Sequence, residues 1–592
     1  MKRKKKLLWA DLFPIIFTLA ILPLAAKGQE VEISLDKYPW FPDGGFQYDF
    51  FMYWKEIIFL ILAGWMLVML IDRWLIRRIP FRNLKMCMPL ALYGGLTVLS
   101  TILSVDKTLS LKGMWQQYES LWVLLGYLVA VFYCMQVVES INDVKILLTA
   151  LAVGALLQGI LGIAQMSGHD FFSSEAGKSL LTAGFDPSVK EALRFNFAGD
   201  SSVYMALYTP NYAGVYVVMI FPVLLVLAAI IRNKIQKILL LVLSGILMIC
   251  LWGSGSRTGF IVLGVLILVA VCIFPDKNQN KSGRKKRWMC AGVAVITALV
   301  LIFGYDLAND HAISGAFGAI FQKESYDLEA MEADREGLTL EYKGKSLKVI
   351  PEMTEWGMTL TAKESNGDKK TAFWNSEKQC FDFKGTDYED LEFDAYEQED
   401  TQYLILKYAD ISWNFYKEMG SDHFVYINQY GKDDAIETAQ AVLKGHEKAL
   451  SGRGYIWGRT IPLLLKHFLW GSGPDTFVVE FPQTDYVMKA NTGLGMYQQL
   501  PTKAHSMYLQ SALQTGVLSL ICLLVFWGRY VICFIKNVRQ RKNSESRWLS
   551  LGIFLGVTGF LLMGIMNDSN LAVSPVFWCL LGTGIAMETF HS

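Results

Sequence analysis

Uninterrupted apolar runs of about 20 residues recur along this 592-residue chain, and that is the length needed to cross the hydrocarbon core of a bilayer. A backbone in lipid has to satisfy its own hydrogen bonds, so such runs read as helices. They start near residues 7, 54, 87, 121, 145, 212, 236, 258, 289, 506, 548 and 573, about twelve spans in all. Charged residues make up 18% of the chain, against about a quarter in globular proteins, which excludes a soluble enzyme. Lys and Arg total 55 and Asp and Glu 54, so net charge gives no reason to expect nucleic acid as a partner.

Basic clusters set the orientation, because Lys and Arg near span ends are retained on the cytoplasmic side. They fall at Lys2 to Lys6, Arg73 to Lys85, Arg232 to Lys237, Lys277 to Arg287 and Lys536 to Arg547, all on one side of a twelve-span count. Both termini are therefore expected in the cytoplasm. Segments 27 to 53, 105 to 120, 166 to 211, 253 to 257, 306 to 505 and 567 to 572 are expected to face outward. The first run, Leu7 to Ala26 behind a basic start, reads either as a span or as a cleaved signal peptide, and Asp11 favours the span. Of nine cysteines only Cys380 falls in the large outer segment, so no disulfide framework is available there.

Between about 323 and 440 acidic residues outnumber basic ones and the pattern changes to short alternating runs. Leu338 to Tyr342, Met358 to Thr361 and Tyr403 to Tyr408, separated by Gly, Asn and Asp, predict strands of a small antiparallel sheet. Trp356, Trp374, Tyr388, Trp413 and Tyr416 read as core of that sheet ahead of a sugar-binding surface. The expected organisation is an N-terminal membrane domain (1–305, about nine spans) and an extracytoplasmic β-rich domain (306–450). An extracytoplasmic amphipathic segment carrying motifs (451–505) and a C-terminal membrane domain (506–592, about three spans) follow.

Four outward segments join glycine to polar groups at span ends. In Trp252-Gly-Ser-Gly-Ser-Arg-Thr-Gly259 the GxxxxGK[ST] spacing is missing, so it is not a nucleotide loop. Its backbone and Arg257 suit an anion, or a tight helix reversal with a snorkelling Arg. In Ser451-Gly-Arg-Gly-Tyr-Ile-Trp457, Arg453 is sterically open and suits bidentate phosphate binding, or is an ordinary surface Arg. An amphipathic stretch then runs to Gly471-Ser-Gly-Pro-Asp475. Lys503-Ala-His505 opens the next span, and His505 is either structural or a general base with a suitable pKa. None of the seven histidines forms an HxxxH or HExxH pair, so no metal site is expected. Tyr208-Thr-Pro-Asn211 reads as a helix start with Pro210 at its entrance and Asn211 as cap.

Together, Thr209-Pro-Asn211, Ser254 to Gly259, Ser451-Gly-Arg453 with Ile456-Trp457, Gly471-Ser-Gly-Pro474, Ala504-His-Ser-Met-Tyr-Leu-Gln510 and Gly516 resemble the O-antigen ligase and polysaccharide polymerase superfamily of membrane glycosyltransferases. The resemblance covers most of the membrane part. It implies a GT-C-like helical fold and transfer of a glycan from a lipid carrier, usually undecaprenyl pyrophosphate, to an acceptor hydroxyl on the outer face. It implies no nucleotide sugar, metal or cofactor, and places the chain in the cytoplasmic membrane of a bacterium, making surface polysaccharide. By the same resemblance Arg257 and Arg453 hold the pyrophosphate and His505 activates a glycan or cell-wall acceptor. Gly255, Ser256, Asn211, Lys503 and Tyr508 are then expected to bind substrate. The chain departs from the family at Glu119, followed here by Ser120 where Gly is common, and in the size of its β-rich insert. The rival classes are a transporter or flippase of a lipid-linked saccharide or small solute, disfavoured by the few ionisable residues within spans, and a non-catalytic receptor.

Overall fold

The computed structural model describes residues 9–590 apart from 34, 43–45, 196, 198–201, 274–291, 293–295, 297–298, 301, 356, 409, 494–498, 539 and 542–543. The basic clusters at Lys2 to Lys6 and Lys277 to Arg287, much of the run expected from 289, and Trp356 lie outside those residues.

Fourteen helices carry the argument: α1 (Trp9–Ala20), α2 (Tyr53–Ile71), α3 (Leu84–Ile102), α4 (Leu121–Val137), α5 (Ile141–Met166), α6 (Pro210–Ile230), α7 (Lys234–Gly253), α8 (Arg257–Ile273), α9 (Ala312–Phe321), α10 (Arg453–Lys466), α11 (Met507–Thr515), α12 (Val517–Val538), α13 (Ser544–Met563) and α14 (Ser574–Glu588). Among the described residues seven helices are long and apolar enough to cross a bilayer, and shorter apolar helices, including α4 and α8, accompany them. The chain is a multi-pass membrane protein with a β-sheet-rich region.

Burial follows the hydrophobic pattern. Helix α6 is apolar on every face and is enclosed by α7 and α13, whereas α7 turns Ile235, Leu239, Val242 and Ile249 outward, as a lipid-facing helix does. The first apolar run is α1, packed on α5 with Leu12, Ile15 and Leu19 buried. Its Asp11 is buried beside Arg77 at 3.1 Å, and the Asp11 carbonyl accepts a hydrogen bond from the Tyr133 hydroxyl. The run expected to start near 506 is two helices. Gly516, at φ 94°, separates α11 from α12, and a Cβ there would lie 2.6 Å from the Leu469 carbonyl oxygen.

The insert is two antiparallel meanders. One sheet has strands β1 (Leu328–Ala333), β2 (Leu338–Tyr342), β3 (Lys345–Thr354), β4 (Gly357–Glu364) and β5 (Lys369–Thr371) in that order. The other runs from β6 (Phe373–Asn375) through β7 (Cys380–Asp382), β8 (Glu392–Gln398), β9 (Thr401–Tyr408), β10 (Ile411–Glu418) and β11 (Val425–Ile427) to β12 (Asp433–Asp434). Alternation sends Phe393, Leu406 and Trp413 inward in one cross-strand row and leaves Tyr396, Tyr403 and Tyr416 on the other face. Trp413 and Tyr388 are fully buried, as expected of core; Trp374 is 52% exposed and Tyr416 half-exposed, so these two are not core. The insert shares its core with Trp40, Phe41, Val478, Tyr486 and Val487, so it is fused to segments on both sides of it in the chain.

Candidate active site

Each glycine-bearing motif makes a tight turn that delivers one polar side chain. At the start of α8, Gly255 takes φ 64° and the Ser254 hydroxyl donates to the Leu251 carbonyl. Ser256 lies against Gly214 of α6, where any side chain would collide with its hydroxyl. Arg257 then begins the helix, its Nη1 donating to the Ala312 carbonyl of α9 at 3.1 Å.

Before α10, Leu450, Ser451 and Gly452 all have positive φ, and Gly454 is pressed against the His446 carbonyl so closely that no Cβ fits. This explains why Arg453 is flanked by glycines. Its Nε donates to the Met566 carbonyl at 3.0 Å and its Nη1 to the Leu450 carbonyl at 3.2 Å, which leaves the rest of the fork for an anion. Burial lowers the pKa of this guanidinium; Asp568 opposes the shift and Arg257 adds to it. The guanidinium stays charged at any relevant pH.

His505 has φ 51° and precedes α11. The loop that carries it is held by the Trp457 indole, which donates to the Ala504 carbonyl at 2.9 Å, and by the Ala504 N–H, which donates to Gln510 Oε1 at 2.7 Å. These two bonds give Trp457 and Gln510 of the motif set a structural task. His505 Nδ1 sits 3.2 Å from Asp568 Oδ2; the imidazole is 37% exposed and the carboxylate 4%. With Nδ1 engaged, Nε2 is the nitrogen left for a substrate. Burial alone would raise the Asp568 pKa, but His505, Lys503 and Arg453 hold it below the ordinary carboxylate value. The 471–475 motif closes on the same elements: Ser472 and Gly473 donate backbone N–H bonds to Leu513 and Gln514 at the end of α11.

One cavity of about 670 Å³ is lined by Asn211, Gly255, Ser256, Arg257, Arg453 and His505. Its other wall is apolar, formed by Ile261, Val262 and Val265 of α8, Ile313 and Phe317 of α9, and Leu562 and Ile565 near the end of α13. An anion clamp and a hydrocarbon surface therefore share one space. Two residues expected to bind substrate stand apart from its lining. Lys503 donates to the Tyr212 hydroxyl at 3.0 Å and lies over that ring, while Tyr508 donates to the Leu561 carbonyl and packs edge-on against Trp527. Burial would lower the Lys503 pKa, but Tyr212 and Asp568 hold it above its ordinary value, so Lys503 adds positive charge behind the site. Asn211 lines the cavity but does not cap: Thr209 is the N-cap of α6, because Pro210, which has no N–H, occupies the first helical position. Among the described residues no group of three His, Cys, Asp or Glu is placed to hold a metal ion.

Asp568 is the residue that sequence reasoning passed over. Its signal was Asn567-Asp-Ser-Asn570, a polar run between two apolar spans.

Residues 415–524 match the family model for O-antigen ligase, a stretch that contains Arg453, the 471–474 motif and His505. No curated protein and no solved structure matches the chain. The likeness to O-antigen ligase is thus a likeness of residues 415–524, set among helices long and apolar enough to cross a membrane.

Proposed function

We propose that this protein is a membrane glycosyltransferase of the ligase or polymerase type. In this reading it moves a glycan from a polyprenyl pyrophosphate carrier, undecaprenyl in a bacterial inner membrane, to an acceptor sugar hydroxyl on the outer face, as a step in surface polysaccharide biosynthesis. The fold is then a GT-C-like bundle of about twelve spans with both termini in the cytoplasm. The observation that supports it is the meeting of Arg257, Arg453 and His505 on one cavity with an apolar wall.

The chemistry asks little beyond that set. His505 Nε2 takes the proton of the acceptor hydroxyl as its oxygen attacks the anomeric carbon. The bond from that carbon to the pyrophosphate oxygen breaks, and its electron pair leaves with the pyrophosphate. Arg257 and Arg453 neutralise the charge that develops on the leaving group, in place of a divalent metal. Asp568 fixes the His505 ring and stabilises the imidazolium. A direct attack inverts the anomeric configuration. No cofactor takes part, and the hydrocarbon of the carrier lies along Val262, Val265 and Phe317.

The test is the surface glycan of cells carrying wild-type chain or an equally expressed His505→Ala variant. Collapse of a long ladder to single repeats identifies a polymerase, and long chains stranded on the lipid carrier identify a ligase. An unchanged profile overturns the assignment of His505 and favours transport or binding.

A further inference from the structure

Behind the His505–Asp568 pair lies a second carboxylate that no step above uses. Glu119 is buried just ahead of α4, and its Oε1 accepts hydrogen bonds from the Ser569 hydroxyl at 2.6 Å and the Tyr127 hydroxyl at 2.9 Å. Ser569 is the neighbour of Asp568, and its hydroxyl also meets that of Ser574, which accepts the Asn570 N–H at the start of α14. The same turn receives the Met507 N–H on the Asn567 carbonyl, beside His505. Asp568 itself has one oxygen against His505 and a second, Oδ1, that is buried with no hydrogen-bond partner among the described residues. Its aim therefore depends on the backbone that carries it. Glu119 also lines a cavity of about 30 Å³ with Ser569, Gln510 and Gln514. It is far smaller than the 670 Å³ cavity, whose lining does not include Glu119.

We propose that Glu119 is a positioning residue of this site, one that anchors Ser569 and so holds the 567–570 turn with Asp568 against His505. This rests on the glycosyltransferase reading for its activity arm only. The groups facing Glu119 are Tyr93 of α3, Tyr127 of α4, Tyr212 of α6, Asp475 of the 471–475 turn, and Asp568. Lys503 stands behind these groups, donating to the Tyr212 hydroxyl and acting on Asp475 and Asp568. Burial foremost, with Asp475 and Asp568 adding, pushes the Glu119 pKa up to about 8, against the opposing hydrogen bonds from Ser569 and Tyr127. At neutral pH the carboxyl is protonated and compatible with an ionised Asp568. Above about pH 8 it becomes a third negative charge beside Asp568 and Asp475, and the turn loosens.

The experiment uses membranes bearing the full chain as wild type, Glu119→Gln, Glu119→Ala and, as control, Asp568→Asn. Transfer is measured from pH 6 to 9.5, and acylation of His505 by diethyl pyrocarbonate is followed in parallel by peptide mass spectrometry. Diethyl pyrocarbonate attacks the imidazole, and how readily it does so depends on how Asp568 holds the ring, so Asp568→Asn gives the acylation curve of a loosened pair. Wild type should lose transfer above pH 8. Glu119→Gln, which keeps the acceptor oxygen and stays neutral, should keep at least half the pH 7 rate, with no alkaline fall near pH 8 and a wild-type acylation curve. Glu119→Ala should lose transfer at least tenfold and move its acylation curve toward that of Asp568→Asn. An acylation curve for Glu119→Ala that coincides with wild type overturns the positioning role. An alkaline fall in Glu119→Gln identical to wild type overturns the need for a neutral acid, and remains decisive if Glu119→Ala does not fold. Absence of transfer in wild type, with the acylation shift intact, overturns the glycosyltransferase reading and leaves the coupling of Glu119 to His505 standing.

Discussion

At Asp568 a single carboxylate serves His505 and two cations, Lys503 and Arg453, and the charge rather than the shape of the side chain is what matters to them. Asp568→Asn keeps the volume and one carbonyl-type acceptor but removes that charge, and its amide can impose the wrong imidazole tautomer. Transfer should fall by roughly 10² to 10⁴, mostly in kcat, and thermal stability should fall as well, because the lowered pKa of Asp568 means that its charge favours the folded state. Initial rates over donor concentration decide this; an effect confined to KM would make Asp568 part of donor binding instead. Arg453 makes a different demand, since its Nε and Nη1 are spent on the Met566 and Leu450 carbonyls and only a fork retains donors beyond them. Arg453→Lys should therefore weaken the donor step at least tenfold despite the retained charge. Asp475, buried and accepting N–H bonds from Met114 and Glu119, has a pKa pushed up to about 7, by burial and against Lys503. An acid that binds its proton more tightly folded than unfolded costs the fold stability progressively as pH rises from its ordinary value near 4 to about 7, and nothing further beyond. Asp475→Asn removes that dependence. The difference in Tm, variant minus wild type, should accordingly climb between pH 4 and 7 and then level.

At the scale of elements, much was legible because period and punctuation are local. Leu338 to Tyr342 is a strand as the alternation predicts, and Tyr403 to Tyr408 lies within β9. The helix break at Gly516 was not legible as a break, since Met507 to Val538 is apolar enough to run on and what stops it is the Leu469 carbonyl, 47 residues earlier in the chain. Asp568 was illegible for the same reason: its partner is 63 residues away, and an acid in a short loop carries no period. Tyr508 stands off the cavity for a like reason, because it packs edge-on against Trp527 of α12, a contact between two helices that no local pattern marks. Gly473 shows what a glycine signal is worth once it is placed. It has φ 115°, and a Cβ would collide with the hydroxyls of Ser104 and Ser110. Gly473→Ala should destabilise the protein by about 1–3 kcal/mol through the backbone alone, and by more through the two serines. The check is thermal unfolding in detergent beside Gly431→Ala, where φ is also positive but space is open. A larger loss at Gly473 assigns the excess to the close approach.

At the scale of the molecule, the β insert raises the question of whether it is a detachable module. Its two ends argue that it is: the Glu324 N–H donates to the Gly445 carbonyl at 2.8 Å, and Lys448 pairs with Glu324, so the chain leaves and returns at one point. Its flank argues otherwise. Tyr486 donates to Asp434 at 2.6 Å and packs on Tyr426, Lys432 and Asn428 donate to the Phe41 and Pro39 carbonyls, and Asn491 donates to the Leu328 carbonyl. Trp40, Phe41, Val478, Tyr486 and Val487 belong to one core with the strands. Uncovering a large apolar side chain costs about 1.5–3 kcal/mol, and five of them exceed what a short loop replacing the insert returns in chain entropy. Replacing residues 327–443 by a short glycine-serine linker should therefore lower Tm sharply and drive aggregation in detergent, even though the ends meet. The same replacement with Trp40, Phe41, Val478 and Val487 changed to Ser or Thr should recover a monodisperse protein. If the simple excision is already as stable as wild type, the shared core does not hold the insert to the bundle. If the repaired excision is monodisperse and still assembles the Arg257, Arg453 and His505 cavity, transfer by that protein separates the chemistry of the bundle from whatever the insert contributes.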